Sequence, residues 1–285
     1  MGRITPSFAV TRVELHDAAP DAAGTSRARV VTDTRADLVT GEEPLEIRMG
    51  GQVLTTTMRT PGADLDLVHG LLYSEGVIAS ADEVAEARYC AGATGADGRN
   101  TYNVLEFDLT RPEPLAPEFI RGLPTSSACG VCGSTSIAQV LGKPRPPITP
   151  LKLDPELVVQ LPDRLRAEQK AFRKTGGIHA AGAFTAAGEP VVTREDIGRH
   201  NAADKVIGAL LRQGQLPADN MILVMSSRAS FELVQKAVTA GFSALVAVSA
   251  ASSLAVELAR EAGLALTGFT RGNRFNLYSG ALKQG

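Results

Sequence analysis

The sequence predicts an α/β protein in two parts, a small α+β module followed by an α/β unit with a partly parallel sheet. Two patterns and one break carry this prediction. Residues 44–109 read as strand, strand, helix, strand, strand. Residues 221–269 read as strand, helix, strand, helix, strand. Their strands are apolar at almost every position, as expected of parallel strands buried on both faces. Between the two patterns, residues 111–124 carry four prolines and few apolar anchors, which marks a boundary. The resulting divisions are 1–36 for an N-terminal strand and flexible linker, 37–115 for the small module and 124–285 for the larger unit.

Each element has a local reason. Residues 8–15 alternate as a strand does, and residues 16–29, rich in Ala, Asp, Gly and Ser, read as a linker. Residues 44–49 and 52–58 form a hairpin around Gly50-Gly51. Asp64 to Tyr73 is a helix: Leu65, Val68, Leu71 and Leu72 fall at helical spacing, Asp64 and Asp66 lie in the first turn, and Gly76 ends it. His69 inside it is assigned to packing or solvent, not to a ligand role. Residues 84–90 and 101–109 complete the module as strands. In the second part, Ser134 is positioned to cap a short helix over 135–141. A long amphipathic helix spans 155–172, with Pro162 expected to divide or kink it. Residues 178–184 and 190–193 form a second hairpin. Helices over 202–211, 230–240 and 254–262 then alternate with strands over 221–225, 244–248 and 264–269, and Ser252 or Ser253 caps the last helix.

Composition narrows the function classes. The chain has 285 residues, 44% hydrophobic and 21% charged, with a net charge of −2. That is an ordinary globular composition, with no excess charge for broad nucleic-acid or membrane binding. Apolar runs are too short to span a membrane, and the first residues lack a secretory core. Three cysteines suit a reducing compartment. A cytoplasmic protein is expected. Aromatic residues are 5% and Trp is absent, a poor supply for stacking on single-stranded nucleic acid.

Two of the three cysteines stand in Ser126-Ser127-Ala128-Cys129-Gly130-Val131-Cys132-Gly133. Glycine follows each, so the backbone bends freely and the sulfurs are uncrowded. A helix starting just downstream favours thiolate, the form that attacks and binds metal. A buried turn holding two small residues is the plainest alternative, but so much flanking Gly and Ser argues against it. Structural zinc needs two further ligands; Cys90 is isolated, and His16, His69, His179 and His200 are scattered, so no metal site is expected. A redox dithiol and a persulfide-carrying nucleophile both remain open.

A second constellation follows from the topology. In open α/β sheets, ligands bind beyond the carboxyl ends of the strands. Ser226-Ser227-Arg228-Ala229-Ser230 follows the first buried strand. Ser249-Ala250-Ala251-Ser252-Ser253 follows the second, and Thr270-Arg271-Gly272-Asn273-Arg274 the third. Hydroxyls, free helix N–H groups and three arginines on one rim are the makings of a phosphate site. Serines that only cap helices, beside solvated arginines, are the alternative. The segment Glu195 to Asn201 adds an acid–base set. Arg199 and His200 are assigned to the site and His179 to a polar network that ties a loop to the sheet.

With these stretches in view, the sequence resembles the FdhD family. Residues 126–133, 175–181, 195–205, 230–236 and 252–259 carry the resemblance, with Glu43-Pro44-Leu45-Glu46-Ile47 and Tyr73-Ser74-Glu75-Gly76 in the first part. Members are sulfurtransferase accessory proteins of formate dehydrogenases. The resemblance implies sulfur taken as a persulfide from a cysteine desulfurase and delivered to the bis(molybdopterin guanine dinucleotide) molybdenum cofactor. Cys129 would carry the sulfur and Cys132 assist. The resemblance also implies a homodimer and a cytidine-deaminase-like second domain. The deaminase signature H-x-E with P-C-x-x-C is absent, since Ala128 precedes Cys129. Cofactor binding would fall on Phe269, Thr270, Arg271, Gly272, Asn273 and Arg274, joined on the rim by Arg228, Ser252, Ser253, Arg199 and His200. Ser227 and Ala251 depart from the expected Gly and Pro. A cofactor-binding chaperone without sulfur chemistry is the competing expectation, beside the redox dithiol.

Overall fold

The computed structural model describes residues 4–17, 28–90, 100–111 and 136–284. The Cys129 and Cys132 motif, the proline-rich connector and Ser134 lie outside the described residues.

The chain begins with β1 (Ser7–His16) and β2 (Arg29–Leu38), paired antiparallel over ten rungs. The second strand falls where the sequence pattern gave a linker followed by no element. Its run of Val, Thr and charged residues alternates too weakly to be read without its partner.

The first module follows. β3 (Glu43–Met49) and β4 (Gln52–Arg59) form the expected hairpin, with Gly50 and Gly51 both at positive φ (55° and 78°) as a two-residue turn of this hand requires. Next come α1 (Asp64–Glu75), β5 (Val84–Tyr89) and β6 (Val104–Leu109). The sheet order is β4-β3-β6-β5, with β3 and β6 parallel and the other pairs antiparallel. His69 is a packing residue, as expected. Its Nδ1 lies 2.7 Å from the Leu65 carbonyl and its ring meets Phe107 edge-on at 5.2 Å.

In the second part, α2 (Ile137–Gly142) is capped by Ser136, whose Oγ accepts from the Gln139 N–H at 3.3 Å. The helix thus starts two residues later than expected. A short β7 (Lys152–Leu153) leads to α3 (Pro155–Glu168), where Asp154 caps and Pro155 opens the first turn. Pro162 neither divides nor ends α3. Val158, Leu161 and Leu165, on both sides of it, are essentially inaccessible to solvent, and their burial holds the helix through the lost backbone hydrogen bond. The helix stops at Glu168, and Phe172 opens a separate short helix, α4 (Phe172–Thr175).

The main sheet is built from β8 (His179–Thr185), β9 (Pro190–Asp196), β10 (Met221–Met225), β11 (Ala244–Ala247), β12 (Ala265–Arg271) and β13 (Arg274–Ser279). Between the strands run α5 (Arg199–Arg212), α6 (Phe231–Thr239) and α7 (Ser253–Ala262). A last β14 (Ala281–Leu282) pairs with β7. The order is β13-β12-β11-β10-β8-β9. β10, β11 and β12 are parallel and the remaining pairs antiparallel, so the sheet is partly parallel as predicted. Alternation along β10 sorts the core. Ile222 and Val224 join Leu161 and Leu165 of α3 on one face, while Leu223 and Met225 join α5, α6 and α7 on the other.

The two parts are not loosely linked. α1 crosses α5 with no side chain between their backbones. A Cβ on Gly70 would lie 1.9 Å from the Asp204 carbonyl oxygen, and one on Gly208 would lie 1.8 Å from that of Asp66. Buried charges lock the seam. Lys205 meets Asp196 at 2.7 Å and donates to the Thr60 carbonyl at 2.8 Å. Lys236 meets Asp204 at 2.7 Å, with Ser74 donating to the same carboxylate. Arg59 holds Asp64 through two parallel bonds of 3.1 and 3.0 Å. Gly70→Ala is expected to force the helices apart and destabilise the protein by about 3 kcal/mol, read by urea denaturation. Gly214→Ala, whose Cβ would meet nothing within 4 Å, should cost less despite its positive φ of 67°.

Candidate functional site

The carboxyl ends of β10, β11 and β12 are joined by backbone hydrogen bonds into one rim. Ser249 N–H donates to Ser227 O at 3.4 Å, Ala229 N–H to Ala250 O at 2.9 Å, Ser252 N–H to Ala229 O at 3.0 Å, and Phe269 N–H to Ser249 O at 3.0 Å. The three loops that topology placed together are thus in contact.

On the face carrying α5 and α6, Arg199 and His200 open α5 beside the start of α6. They reach this place because the rest of their segment is tied down. Asp196 accepts from the N–H groups of Thr60 and Gly198 (3.1 and 2.8 Å), and Asn201 donates to the Met58 carbonyl at 2.8 Å. His200 Nε2 lies 3.3 Å from Ser230 Oγ and 3.8 Å from a Glu232 carboxylate oxygen. Burial, then the nearby Lys236 and Arg199, push the His200 pKa down to about 4, so the ring is neutral at pH 7. Burial pushes the Glu232 carboxyl up, but its own backbone N–H, Ser230, His200 and Arg199 outweigh this and hold it below its usual value. If Ser230 donates to Glu232, the His200 Nε2 carries its proton and donates to Ser230, which leaves Nδ1 as an acceptor.

Arg199 is half-buried beside exposed Arg228, and its Nε is buried without a hydrogen-bond partner among the described residues. Burial and then the Arg228 charge lower its pKa. Two guanidiniums close enough to act on one another, one with an orphaned donor, suit an oxyanion ligand. His179, assigned from sequence to a structural polar network, lies close enough to act on this cluster: Arg199 lowers its pKa after burial does, and it in turn acts on His200.

The last loop is a β-hairpin. β12 turns at Gly272, which has φ 59°, and returns as β13, with Arg271 directly opposite Arg274. Like charges across one rung repel, and neither arginine has an ion-pair partner among the described residues. Phe269 is 39% exposed with φ 53°, whereas Thr270 is fully buried and its hydroxyl meets Thr267 at 3.1 Å. A cleft of about 290 Å³ separates this hairpin from α3, lined by Arg166, Gln169, Ser226, Val248, Arg271 and Gly272. A cleft of about 950 Å³ lies elsewhere, between Gly62, Lys170 and Thr193. None of the predicted site residues lines it.

The rim therefore has two sides. Arg199, His200 and Arg228 gather on the α5–α6 side, while Arg271 and Gly272 face α3. Exposed Asn273 and Arg274 complete the hairpin turn. Ser252 is the N-cap of α7 and accepts from Ala255 N–H at 3.4 Å; Ser253 follows it, exposed. For Ser252 the capping role is what the structure records. Ser230 and Glu232, partners of His200, were not among the predicted site residues. Their signals were Ser230's place among the rim hydroxyls and the stretch 230–236 that carries the family resemblance.

The FdhD/NarQ family model matches residues 40–283. The chain belongs to the FdhD/NarQ family. The sulfur carrier protein FdhD of Corynebacterium efficiens is 56% identical over 99% of this chain and all of its own length. The protein of the same name from Nocardia farcinica is 55% identical, covering 90% of this chain and 94% of its own. A solved structure assigned as a formate dehydrogenase accessory protein from Desulfotalea psychrophila shares the fold. It has a TM-score of 0.66, 20% identity, and coverage of 95% of this chain and 96% of its own. Within the FdhD/NarQ match, residues 40–283 include the whole rim.

His200 supplies a pH test. Its folded pKa of about 4 lies below the unfolded value of 6.5, so the unfolded chain binds the extra proton between these values. Stability is then complete above pH 6.5 and falls as pH drops toward 4, by up to roughly 3 kcal/mol. In urea melts across this window, His200→Gln should show a shallower loss than wild type.

Proposed function

We propose that the protein is a sulfurtransferase of formate dehydrogenase maturation. It accepts sulfur from a cysteine desulfurase as a persulfide on Cys129 and passes it to the bis(molybdopterin guanine dinucleotide) molybdenum cofactor, which is its substrate. The observation that carries this reading is a C-x-x-C flanked by glycine in a chain similar over nearly its full length to proteins named sulfur carriers. Formate dehydrogenase is the recipient of the sulfurated cofactor, and the protein acts in the cytoplasm as a homodimer.

The geometry supports this reading at two points. First, Ile137, Val140 and Leu141 of α2 pack against the core on the α5–α7 face, the face of Arg199 and Arg228. Cys129 is seven residues upstream of the Ser136 cap, a tether of at most about 24 Å. That chain length bounds how far Cys129 lies from the start of α2. Second, the rim holds two arginine pairs suited to the phosphates of a guanine dinucleotide: Arg199 with Arg228, beside Glu232, and Arg271 with Arg274, which have no ion-pair partner among the described residues. The neutral His200 can hold a proton between nitrogen and substrate without adding charge.

The chemistry balances without an outside oxidant in the loading step. The Cys129 thiolate attacks the terminal sulfur of the desulfurase persulfide, and the desulfurase thiolate leaves. In release, the Cys132 thiolate attacks Cys129 Sγ. The outer sulfur departs as sulfide with both electrons of the broken bond, and a Cys129–Cys132 disulfide remains, which a dithiol must reduce before another cycle.

Intact-mass spectrometry after incubation with a cysteine desulfurase and cysteine should show one added sulfur atom on wild type. The adduct should vanish on reduction and be missing from Cys129→Ser. An unloaded wild type, beside a control acceptor that loads, would turn the reading to a redox dithiol or a cofactor chaperone. For Cys132, single-turnover transfer by Cys132→Ala is expected to slow at least tenfold while loading is unchanged. Equal transfer rates would remove Cys132 from the release step.

A further inference from the structure

The helix α3 turns one stripe toward the β12–β13 hairpin. Asp163 and Arg166 stand one turn apart on it, and Gln169 ends it. Across the cleft lie Arg271 and Gly272. The cleft holds about 290 Å³, close to the lower bound for small-molecule pockets and room for one heterocyclic base.

Most polar groups here have partners within the protein. Ser226 Oγ accepts from the Ala180 N–H at 2.9 Å, and the Thr270 hydroxyl meets that of Thr267. The Arg166 guanidinium lies 3.4 Å from the centre of the Phe172 ring. Gln169 differs. Its backbone is engaged at both groups: the N–H donates to Arg166 O at 3.2 Å, and the carbonyl accepts from the Arg173 N–H at 3.3 Å. The residue is 2% exposed, yet its Nε2 has no hydrogen-bond partner among the described residues. A buried amide donor without a partner destabilises the free protein, and a ligand acceptor removes that penalty. Asp163 is the second unmatched group. It is exposed at the cleft and has no ion-pair partner among the described residues.

An amide donor and a carboxylate on one wall, with arginine on the other, call for a particular ligand edge. It places an oxygen acceptor beside N–H donors, on a molecule that carries phosphate. The amino-oxo-pyrimidine edge has this order: exocyclic oxygen, ring N–H, exocyclic amino group. Adenine instead presents an amine and a bare ring nitrogen at the first two places. Gln169 alone does not separate these, because its amide can turn to offer either atom. Asp163 does, because an ionised carboxylate only accepts.

We propose that Gln169 and Asp163 are specificity-determining residues that read the amino-oxo-pyrimidine edge of the substrate in the α3 cleft, while Arg271 and Arg274 take its phosphates. Gln169 donates to the exocyclic oxygen. Asp163 accepts from the ring N–H and the amino group. Guanine and pterin both carry this edge, and the probes below tell the two sources apart. The inference rests on the cofactor half of the reading above and names the residues that select the cofactor.

Isothermal titration calorimetry of the full chain tests it, with guanosine, inosine and adenosine diphosphates and free pterin as probes. Inosine lacks only the amino group of guanosine. Wild type should bind guanosine diphosphate roughly 100-fold more tightly than adenosine diphosphate, with inosine diphosphate between them. Gln169→Met keeps the side-chain length. It should weaken the guanosine and inosine probes roughly tenfold and leave the adenosine probe unchanged. Asp163→Ala should bring guanosine and inosine diphosphates to one affinity. Arg271→Ala should weaken all three nucleotides alike. Because Gln169 is buried, thermal midpoints accompany each titration, and exposed Asp163 decides the matter where Gln169→Met unfolds. If pterin binds in place of guanosine diphosphate, with the same losses in both α3 variants, the edge is the pterin's and the inference holds. If both variants keep the wild-type ratio of guanosine to adenosine diphosphate affinity while Arg271→Ala loses binding, the rim holds phosphate alone. The inference is then overturned and the reading above stands. A wild type that binds none of the probes overturns the inference together with the cofactor half of that reading, while the sulfur adduct on Cys129 tests the other half separately.

Discussion

Everything in this molecule is positioned by the direct contact of two helix backbones. Where α1 crosses α5, Gly70 and Gly208 leave no room for a side chain. The first module therefore sits on the second at a depth set by carbonyl oxygens, which cannot yield as side chains do. Around this contact the charges come in satisfied sets. Asp66 accepts from Arg194 at 3.0 and 2.8 Å and from Arg212 at 2.6 Å, and Asp204 takes Lys236 and Ser74. Burial pushes the Asp204 carboxyl up, while Asp204 and Glu75 outweigh the burial of Lys236 and keep it charged. Buried pairs of this kind contribute little net stability, but removing one partner is costly. They act as a register mark: only one placement of α1 on α5 satisfies them all.

That register determines the chemistry at the far end of α5. Thr60, just after β4, accepts from Lys205 through its carbonyl, and its hydroxyl accepts from Ile197 N–H at 3.0 Å. With Asp196 and Asn201 also engaged, four points hold the start of the helix. Arg199 and His200 are the side chains left to face the rim. The contrast between the two ends of the segment is electrostatic. Buried Lys205 and Lys236 each have a carboxylate at 2.7 Å, whereas Arg199 has both Glu232 and the charge of Arg228 beside it, and Arg271 lies opposite Arg274. Positive charge that the protein leaves unbalanced at a strand-end rim belongs with an anionic ligand.

The legible parts of the fold were those with strong local periodicity or punctuation. The Gly50-Gly51 hairpin, α1 and the three parallel strands are written in alternation, helical spacing and glycine. Three elements were read differently for identifiable reasons. β2 has no apolar period of its own and exists as the partner of β1. Pro162 is a local breaker overruled by the burial of Val158, Leu161 and Leu165. The strand after Gly263 continues past Phe269 because β13 returns along it, a pairing that a one-residue-at-a-time reading cannot weigh. At the site, the arginines of the rim were legible from topology, but the division of roles within Glu195 to Lys205 was not. Apart from Ile197, every residue there is polar or small, and its burial depends on where the neighbouring module lies.

By itself the sequence determined the kind of sheet, the order of its crossovers, the three loops that share its carboxyl edge and the C-x-x-C motif. Each of these follows from local spacing and from the handedness of the chain, which act over a few residues. Only the tertiary structure decided that Asp196, Asn201, Asp204 and Lys205 are structural while Arg199 and His200 face the rim. It alone decided that the rim has two sides, with Arg271 turned to α3 and Arg228 to α5. The physical reason is the same in both cases. Burial and pKa are properties of what packs against a residue, and at this site the packing is supplied by segments more than a hundred positions away, Thr60 against Asp196 and Gly70 against Asp204.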